Sequence, residues 1–374
     1  MSKLLERIWY GPPSNWLKPL EAALALASHG YAWGMHRDQA RKVSRARRLP
    51  RPVISVGNLT VGGTGKTPVI QFLAGQGREL GFKAAILMRG YGGEGETVRR
   101  VKADVGGWKD FGDEAALLAT QLPESPVWVG RDRFEVGEVA VQEDPSIDLF
   151  LLDDGFQHRQ LHRDFDLVLV DAHRGLGNGA LLPLGPLREP APALGRADRI
   201  GVVYKVEGEG GWSPPDSVAA KCFRIDLGPV GWNELGSEEV HPLEDLPRDC
   251  AAYAVAAIGS PQSFEGTLES LGIRIEGRSY FRDHHPFTDE EVRKIEKDCT
   301  DRGLRAFTTA KDAVRLAGLS LVWTEGRRPI IIQLGLKSGD GGILLKEILN
   351  SVLKRTSSDE IKISGGGRRH DFNH

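Results

Sequence analysis

The sequence predicts an α/β fold in two domains, the first on a parallel sheet, preceded by an N-terminal amphipathic helix. Three observations carry this. Short apolar runs alternate with helical stretches from Arg51 onward. The first run, Pro52–Val56, opens into a glycine-rich turn. Gly/Pro-rich stretches at 207–215 and 227–236 then separate two such series. Of 374 residues, 40% are hydrophobic and 27% charged, enough for a buried core. The 46 glycines exceed the usual ~7% share and point to tight turns and backbone-lined sites.

The elements follow in order. The segment 1–50 carries Ile8, Trp9 and Tyr10, a Gly-Pro-Pro break, and then Trp16, Leu17, Leu20, Ala23, Leu24, Tyr31 and Trp33 at largely helical spacing. From Arg37 to Arg51 there are seven basic residues against one acid, Asp38. An aromatic and aliphatic face beside basic residues suits either a helix packed on its own domain or a membrane interface. The first domain, 51–226, has strand runs at Pro52–Val56, Ala84–Leu87, Val127–Val129, Leu149–Leu152 and Leu167–Val170, with helices to Leu80, at Asp113–Leu122 and at Phe134–Val141. Residues 227–250 read as a linker. The second domain, 251–355, has strands at Ala252–Ile258, Arg274–Phe281, Ala306–Thr309 and Pro329–Leu334. Ser260-Pro261 starts one helix; Thr288 with Glu291 forms a capping box for another that Gly303 ends. The polar, glycine-containing tail 356–374 reads as disordered.

Composition narrows the functional classes. A net charge of −2 argues against chain-wide affinity for nucleic acid. The longest stretches without a charged residue, Ala22–His36 and Cys250–Phe264, are too short and too glycine-interrupted to span a bilayer. The start of the chain lacks the apolar core of a secretory signal. The three cysteines, Cys222, Cys250 and Cys299, form no C-x-x-C pair and suggest a reducing compartment.

The sharpest local signal is Val53–Pro68, VISVGNLTVGGTGKTP. Residues Thr60, Val61, Gly62, Gly63, Thr64, Gly65, Lys66 and Thr67 form a P-loop whose first position is Thr rather than Gly. Glycines let amides curl around phosphate oxygens, and a helix N-terminus adds partial positive charge. Lys66 can reach β/γ-phosphates, and the Thr67 hydroxyl can ligate Mg²⁺. This makes the first unit a P-loop NTP-binding domain.

Such a loop needs acids at the carboxyl edge of the sheet. Asp153 and Asp154 end one apolar run and suit a metal role, although Asp-Asp-Gly is also good turn chemistry. Asp171 ends another. Asp113, before EAALLATQL, reads first as an N-cap, and an acid there can also serve as a base. Asp283-His284-His285 suits metal ligation, an acid/base dyad or a polar loop. The loop from Arg174 to Pro190 can present Arg188 to phosphate and Glu189 to a metal, or be purely structural. Arg89, Arg131 and Arg133 carry the same ambiguity.

Together these segments resemble the tetraacyldisaccharide 4′-kinase (lipid A 4′-kinase) family. The resemblance rests on VGNLTVGGTGKTP, MRGYGG, GDEAALLA, LDDGFQHRQLHRDFDLVLVDA, GNGALLPLGPLREP, FRDHHPFT and TTAKDAVRL, in that order, and runs to about Leu336. It implies an ATP- and Mg²⁺-dependent kinase that phosphorylates the 4′-hydroxyl of an acylated glucosamine disaccharide 1-phosphate, giving lipid IVA. It further implies two α/β domains around a nucleotide cleft, a membrane-associating N-terminal helix, and work at the cytoplasmic face of the bacterial inner membrane. Carried over by motif, Asp113 is the base and His284 its partner, with His285 the competing choice. Lys66 and Arg188 contribute charge; Thr67, Asp153, Asp154 and Glu189 serve the metal. Glu114, Gln157 and Asn178 meet the substrate. A membrane-recruited P-loop ATPase or GTPase switch is the rival. The chain lacks Asn-Lys-x-Asp, and Thr309-Ala-Lys311-Asp312 does not fit that guanine motif. A non-catalytic nucleotide-binding scaffold is the other alternative.

Overall fold

The computed structural model describes residues 3–365 apart from 13, 45, 91–97, 103–106, 206–210, 249, 250, 320–322 and 325. Part of the MRGYGG motif, the first break at 207–215, and the tail beyond 365 therefore fall outside the described residues in whole or part. Twelve strands form one sheet: β1 (Val53–Asn58), β2 (Ala84–Met88), β3 (Arg99–Arg100), β4 (Val127–Val129), β5 (Leu149–Asp153), β6 (Phe165–Asp171), β7 (Arg199–Tyr204), β8 (Cys222–Glu234), β9 (Ala252–Ala256), β10 (Ile275–Tyr280), β11 (Arg305–Thr309) and β12 (Ile330–Leu336). Their order is β10-β9-β11-β12-β8-β7-β6-β1-β5-β2-β4-β3.

Chain direction decides where chemistry can sit. Strands β1, β2, β4, β5, β6, β7 and the first half of β8 are parallel, so Asn58, Met88, Asp153, Asp171 and Tyr204 end at one edge. β8 continues beyond that edge. Its second half pairs antiparallel with β12, from Ile330↔Glu234 to Leu336↔Leu227. β11, β9 and β10 run parallel to β12 and so head back toward the first unit. Both sets of strands thus end at one cleft, where ligands of parallel sheets bind.

Residues 227–234, expected as linker, are therefore strand. Gly228, Pro229 and Gly231 read as loop signals because they flank a bulge: the register slips between Gln333 and Leu334, opposite Val230, a little beyond the point after Asp226 where β8 passes from β7 to β12.

The helices are α1 (Lys3–Tyr10), α2 (Lys18–Val43), α3 (Lys66–Glu79), α4 (Trp108–Phe111), α5 (Asp113–Gln121), α6 (Arg133–Glu143), α7 (Asp216–Ala219), α8 (Pro261–Ser270), α9 (Asp289–Arg302), α10 (Ala310–Ala317) and α11 (Asp340–Gly365). α11 carries helix ten residues into the stretch expected to be disordered. One face of the first sheet packs Val56, Leu151 and Leu169 against Leu73 of α3 and Leu345 and Leu349 of α11. The other packs Leu87, Phe150 and Leu152 against Val136 and Ala140 of α6. Every residue of β1 is buried, as expected of a strand covered on both faces. The Thr288–Glu291 capping box and the left-handed Gly303 cap are present; Ser260 precedes α8 without a side-chain cap.

The N-terminal helices dock by one face. Ile8, Trp9 and Leu17 are buried with Leu20, Leu24, Leu182 and Leu184. The opposite face leaves Trp16 at 63%, Leu26 at 76% and Trp33 at 68% exposure. No helix among the described residues is long and apolar enough to cross a membrane.

Gly57 lets the turn after β5 lie against β1. A Cβ there would meet Phe156 Cβ at 2.7 Å and its backbone nitrogen at 2.8 Å, whereas one at Gly63 meets nothing within 4 Å. Gly57→Ala is expected to cost about 1–3 kcal/mol, because backbone cannot yield as a side chain can. Thermal melting should show a lowered Tm for Gly57→Ala and an unchanged one for Gly63→Ala.

Candidate active site

The phosphate loop is built from β1 outward. The fully buried Asn58 side chain donates to Thr60 O at 2.7 Å and accepts from Lys66 Nζ at 3.2 Å. Gly62 and Gly65 take positive φ (114° and 86°), which curls the loop into α3 with Gly65 as its cap. Thr60 is buried and bridges to Leu187, and the Val61 amide donates to Pro186 O at 2.9 Å. Thr60 and Val61 therefore anchor the loop, and Gly62–Thr67 is the part open to an anion.

The acids at the sheet edge divide by environment. Asp154, at φ 51°, is met by Arg188 at 2.6 Å and Lys66 at 3.4 Å. Burial acts to raise its proton affinity, but the two cations outweigh it and hold the carboxyl below the usual range. Asp153 has no such partner among the described residues. Burial pushes it up to about 7, Lys66 opposing the rise and the charges of Asp154 and Glu114 adding to it. Asp171 pairs with Lys205 at 2.6 Å; that cation outweighs burial and holds the acid low. The same ammonium donates to Gly63 O at 2.7 Å, so Asp171 braces the loop through Lys205. Gln157 donates to Asn58 O at 3.0 Å.

A third cluster enters from both units. Gly112, not Asp113, caps α5; Asp113 is its first residue and is buried. Asp113 Oδ2 contacts His284 Nδ1 at 2.9 Å and accepts from Arg315 Nη1 at 2.6 Å. Lys311 Nζ lies 3.4 Å from Glu114, 3.5 Å from His284 Nε2 and 3.8 Å from Asp113. The loop turns at His284 with φ 60°, a strained value for a non-glycine. His285 instead faces Glu291 at 3.0 Å and stacks on Phe281 with centroids 4.7 Å apart. Geometry thus selects His284 as the neighbour of Asp113.

Two expected site residues are committed elsewhere. Glu189 is 1% exposed and both its oxygens bind Arg196, at 2.8 and 3.1 Å, so its carboxylate is not open to a metal. The Asn178 amide ties Ile8 O and Leu184 O together, at 3.2 and 3.0 Å, which is a docking role for α1. Sequence reasoning missed Lys311, Asp312 and Arg315 as site residues. The i, i+3 spacing of Thr309 and Asp312 was the available signal.

No group of three or more His, Cys, Asp or Glu side chains among the described residues could hold a metal alone. Mg²⁺ beside a triphosphate needs only one or two carboxylates, with phosphate and water completing its shell. The residues fit that need: Asp153 Oδ1 and Asp154 Oδ1 are buried without a hydrogen bond, Asp154 Oδ1 having only the Lys66 ammonium nearby.

A phosphate loop with acids at its sheet edge, and a carboxylate–histidine pair drawn from both α/β units, are the parts of a P-loop phosphotransferase. The chain belongs to the tetraacyldisaccharide-1-P 4′-kinase family, whose model matches residues 16–337. A tetraacyldisaccharide 4′-kinase of Syntrophobacter fumaroxidans is 40% identical over 338 residues, covering 85% of this chain and 86% of its own. That of Chromobacterium violaceum is 37% identical over 331 residues, covering 84% and 88%. The crystal structure of the Aquifex aeolicus family member in complex with ATP superposes with a TM-score of 0.71 at 29% identity, covering 89% of this chain and 99% of that one.

Asp153 makes a testable mark on stability. Its folded value lies above the unfolded one, so the stability it contributes is present at low pH and is lost as pH rises from near 3.8 through about 7. Asp153→Asn should therefore melt above the parent protein at about pH 8 without ligand, the gap narrowing as pH falls and closing near about pH 4. A gap independent of pH would contradict the assignment.

Proposed function

We propose that this cleft transfers the γ-phosphate of ATP directly to the 4′-hydroxyl of a tetraacylated glucosamine disaccharide 1-phosphate. The observation that carries the reading is the Asp113–His284 pair, 2.9 Å apart, beside Glu114, whose charge is felt by Asp153 at the phosphate loop. A loose phosphoryl-transfer transition state needs positioning and charge more than covalent chemistry. The amides of Gly62–Thr67 and Lys66 hold the phosphate tail. Thr67, Asp153 and Asp154 would hold Mg²⁺, which would supply neutralisation of the phosphate charge. Arg188 is aimed by Asp154 toward the same oxygens. Asp113 accepts the proton of the sugar hydroxyl, with His284 orienting it; Gln157 and Glu114 border the acceptor. A cavity of about 330 Å³ lined by Tyr204, Lys205, Arg224, Asp226, Leu227, Lys337 and Ser338 adjoins the loop through Lys205.

The N-terminal helices match an acylated acceptor. Trp16, Leu26 and Trp33 face outward, and Arg37 lies 5.6 Å from the Trp33 ring. An amphipathic helix with interfacial tryptophans and a following basic run binds anionic bilayers in the plane of the surface. We place the enzyme peripherally on the cytoplasmic face of the bacterial inner membrane.

The deciding experiment supplies labelled ATP and the acylated disaccharide to the purified chain and looks for phosphate on the sugar. Hydrolysis without transfer would favour a nucleotide switch; no turnover would favour a scaffold. Asp113→Asn should lower kcat by about 10²–10⁴ with ATP affinity retained, and Lys66→Ala should lower kcat at least as much. Near-normal turnover of Asp113→Asn would remove it as base. Replacing Trp16, Leu26 and Trp33 with serine should abolish sedimentation with anionic vesicles while leaving Tm unchanged, since all three are exposed.

A further inference from the structure

We infer that Arg315 is a positioning residue for the transfer: it pins one oxygen of Asp113 so that the other is presented to the acceptor hydroxyl. The inference rests on Asp113 being the base, as proposed above.

Arg315 is 1% exposed and its guanidinium reaches three acceptors. Nη1 donates to Asp113 Oδ2 at 2.6 Å; Nη2 donates to Ala257 O at 2.9 Å and to Asp312 Oδ1. Asp312, wholly buried, accepts from the Ala257 amide at 3.1 Å and the Thr309 hydroxyl at 2.7 Å. Ala257 O also accepts from the His284 amide at 3.2 Å. One peptide at the end of β9 therefore sets the height of both Arg315 and His284. Both converge on the same oxygen of Asp113, and Oδ1 receives no hydrogen bond from a described residue.

A carboxylate bound through one oxygen by two fixed donors cannot rotate to exchange its oxygens, so the free one keeps a constant direction. An arginine fork can span two acids on different elements while holding a carbonyl; a lysine ammonium lacks that planar reach. The remaining charges around Asp113 are Lys311, Glu114 and Asp283. Lys311 lies within 4.0 Å of both acids and is partly solvated, so it balances them without fixing Asp113. Stability alone gives a weak reason for so buried a network, since apolar residues of similar volume serve as well.

The test measures kcat and the KM for ATP on the full chain with ATP and acylated disaccharide, for Arg315→Gln, Arg315→Lys, Asp113→Asn and the Asp113→Asn/Arg315→Gln double variant. Arg315→Gln is expected to lower kcat by about 10²-fold, the scale of a misplaced reacting group, with the ATP KM within about threefold. Arg315→Lys, which keeps the charge, should recover part of that loss. In the Asp113→Asn background, Arg315→Gln should add almost nothing, because residues acting as one unit are non-additive. A kcat within about threefold for Arg315→Gln, or an undiminished further loss in the double variant, overturns the inference while leaving Asp113 as base. Normal turnover of Asp113→Asn overturns both. If Arg315→Gln fails to fold, Arg315→Lys carries the same readouts, alone and combined with Asp113→Asn.

Discussion

The structure depends on one strand changing partners. β8 is parallel to β7 along its first half and antiparallel to β12 along its second. That single reversal turns the second unit around, so its strands finish facing the carboxyl edge of the first. Without it, Thr309, Ala257 and His284 would lie at the far end of the molecule from Asn58 and Asp153. A ladder of amides holds the arrangement: Gln71 of α3 donates to Gln121 of α5, Gln121 to Gln333 of β12 at 2.7 Å, and Gln333 to Asn233 of β8 at 2.7 Å. Each amide donates onward and accepts from behind, so the phosphate-loop helix, the helix carrying Asp113 and both halves of the junction share one chain of hydrogen bonds. Such chains resist sliding because a shift breaks several bonds at once.

With the two edges facing, the cleft gathers charge that would be unfavourable anywhere else. Most of it is paired: Asp154 with Lys66 and Arg188, Asp171 with Lys205, Asp113 with Arg315 and His284. These pairs join different elements, so they set geometry as much as they offset burial. Asp153 is the exception. It is as buried as its neighbours yet has no cation in hydrogen-bonding contact, and its raised proton affinity records that imbalance. The Mg²⁺ proposed above would supply the counter-charge that Asp153 lacks.

Much of this was legible in the sequence, and the reasons differ by residue. The phosphate loop and Asp153-Asp154 are local: a strand, a glycine turn and a lysine state their purpose within a few residues. Asp113 was singled out from its position before a helix, though as a cap; the helix instead begins on it, which buries the carboxylate. Glu189 and Asn178 were expected at the metal and at the substrate, but their contacts are set by Arg196 across a loop and by the backbone of α1. β8 hid for a different reason. Gly228, Pro229 and Gly231 break a strand in local statistics, yet beside the bulge at Val230 in the β8–β12 ladder they are what the backbone needs. Arg315 carries no local signal for Asp113, since 202 positions separate them.

The N-terminal helices connect this cleft to its surroundings through the least regular part of the chain. Ser28 donates to Leu181 O at 3.0 Å, Trp9 to Pro183 O at 3.0 Å, and Tyr31 to the carbonyl of Arg188 at 3.0 Å. All three bonds fall on the loop whose far end, through Pro186 and Leu187, anchors Thr60 and Val61 of the phosphate loop. The helices that carry the outward tryptophans and the phosphate loop are thus hydrogen-bonded to the same loop. A substrate with chains in a bilayer and a hydroxyl in water cannot be carried to a distant site without extracting those chains, at about 0.8 kcal/mol for each methylene exposed. On the membrane placement proposed above, fixing the outward face to the loop that presents Arg188 would avoid that extraction: the headgroup would reach the phosphate with the chains still buried, and orientation at the membrane would become orientation at the reacting atom.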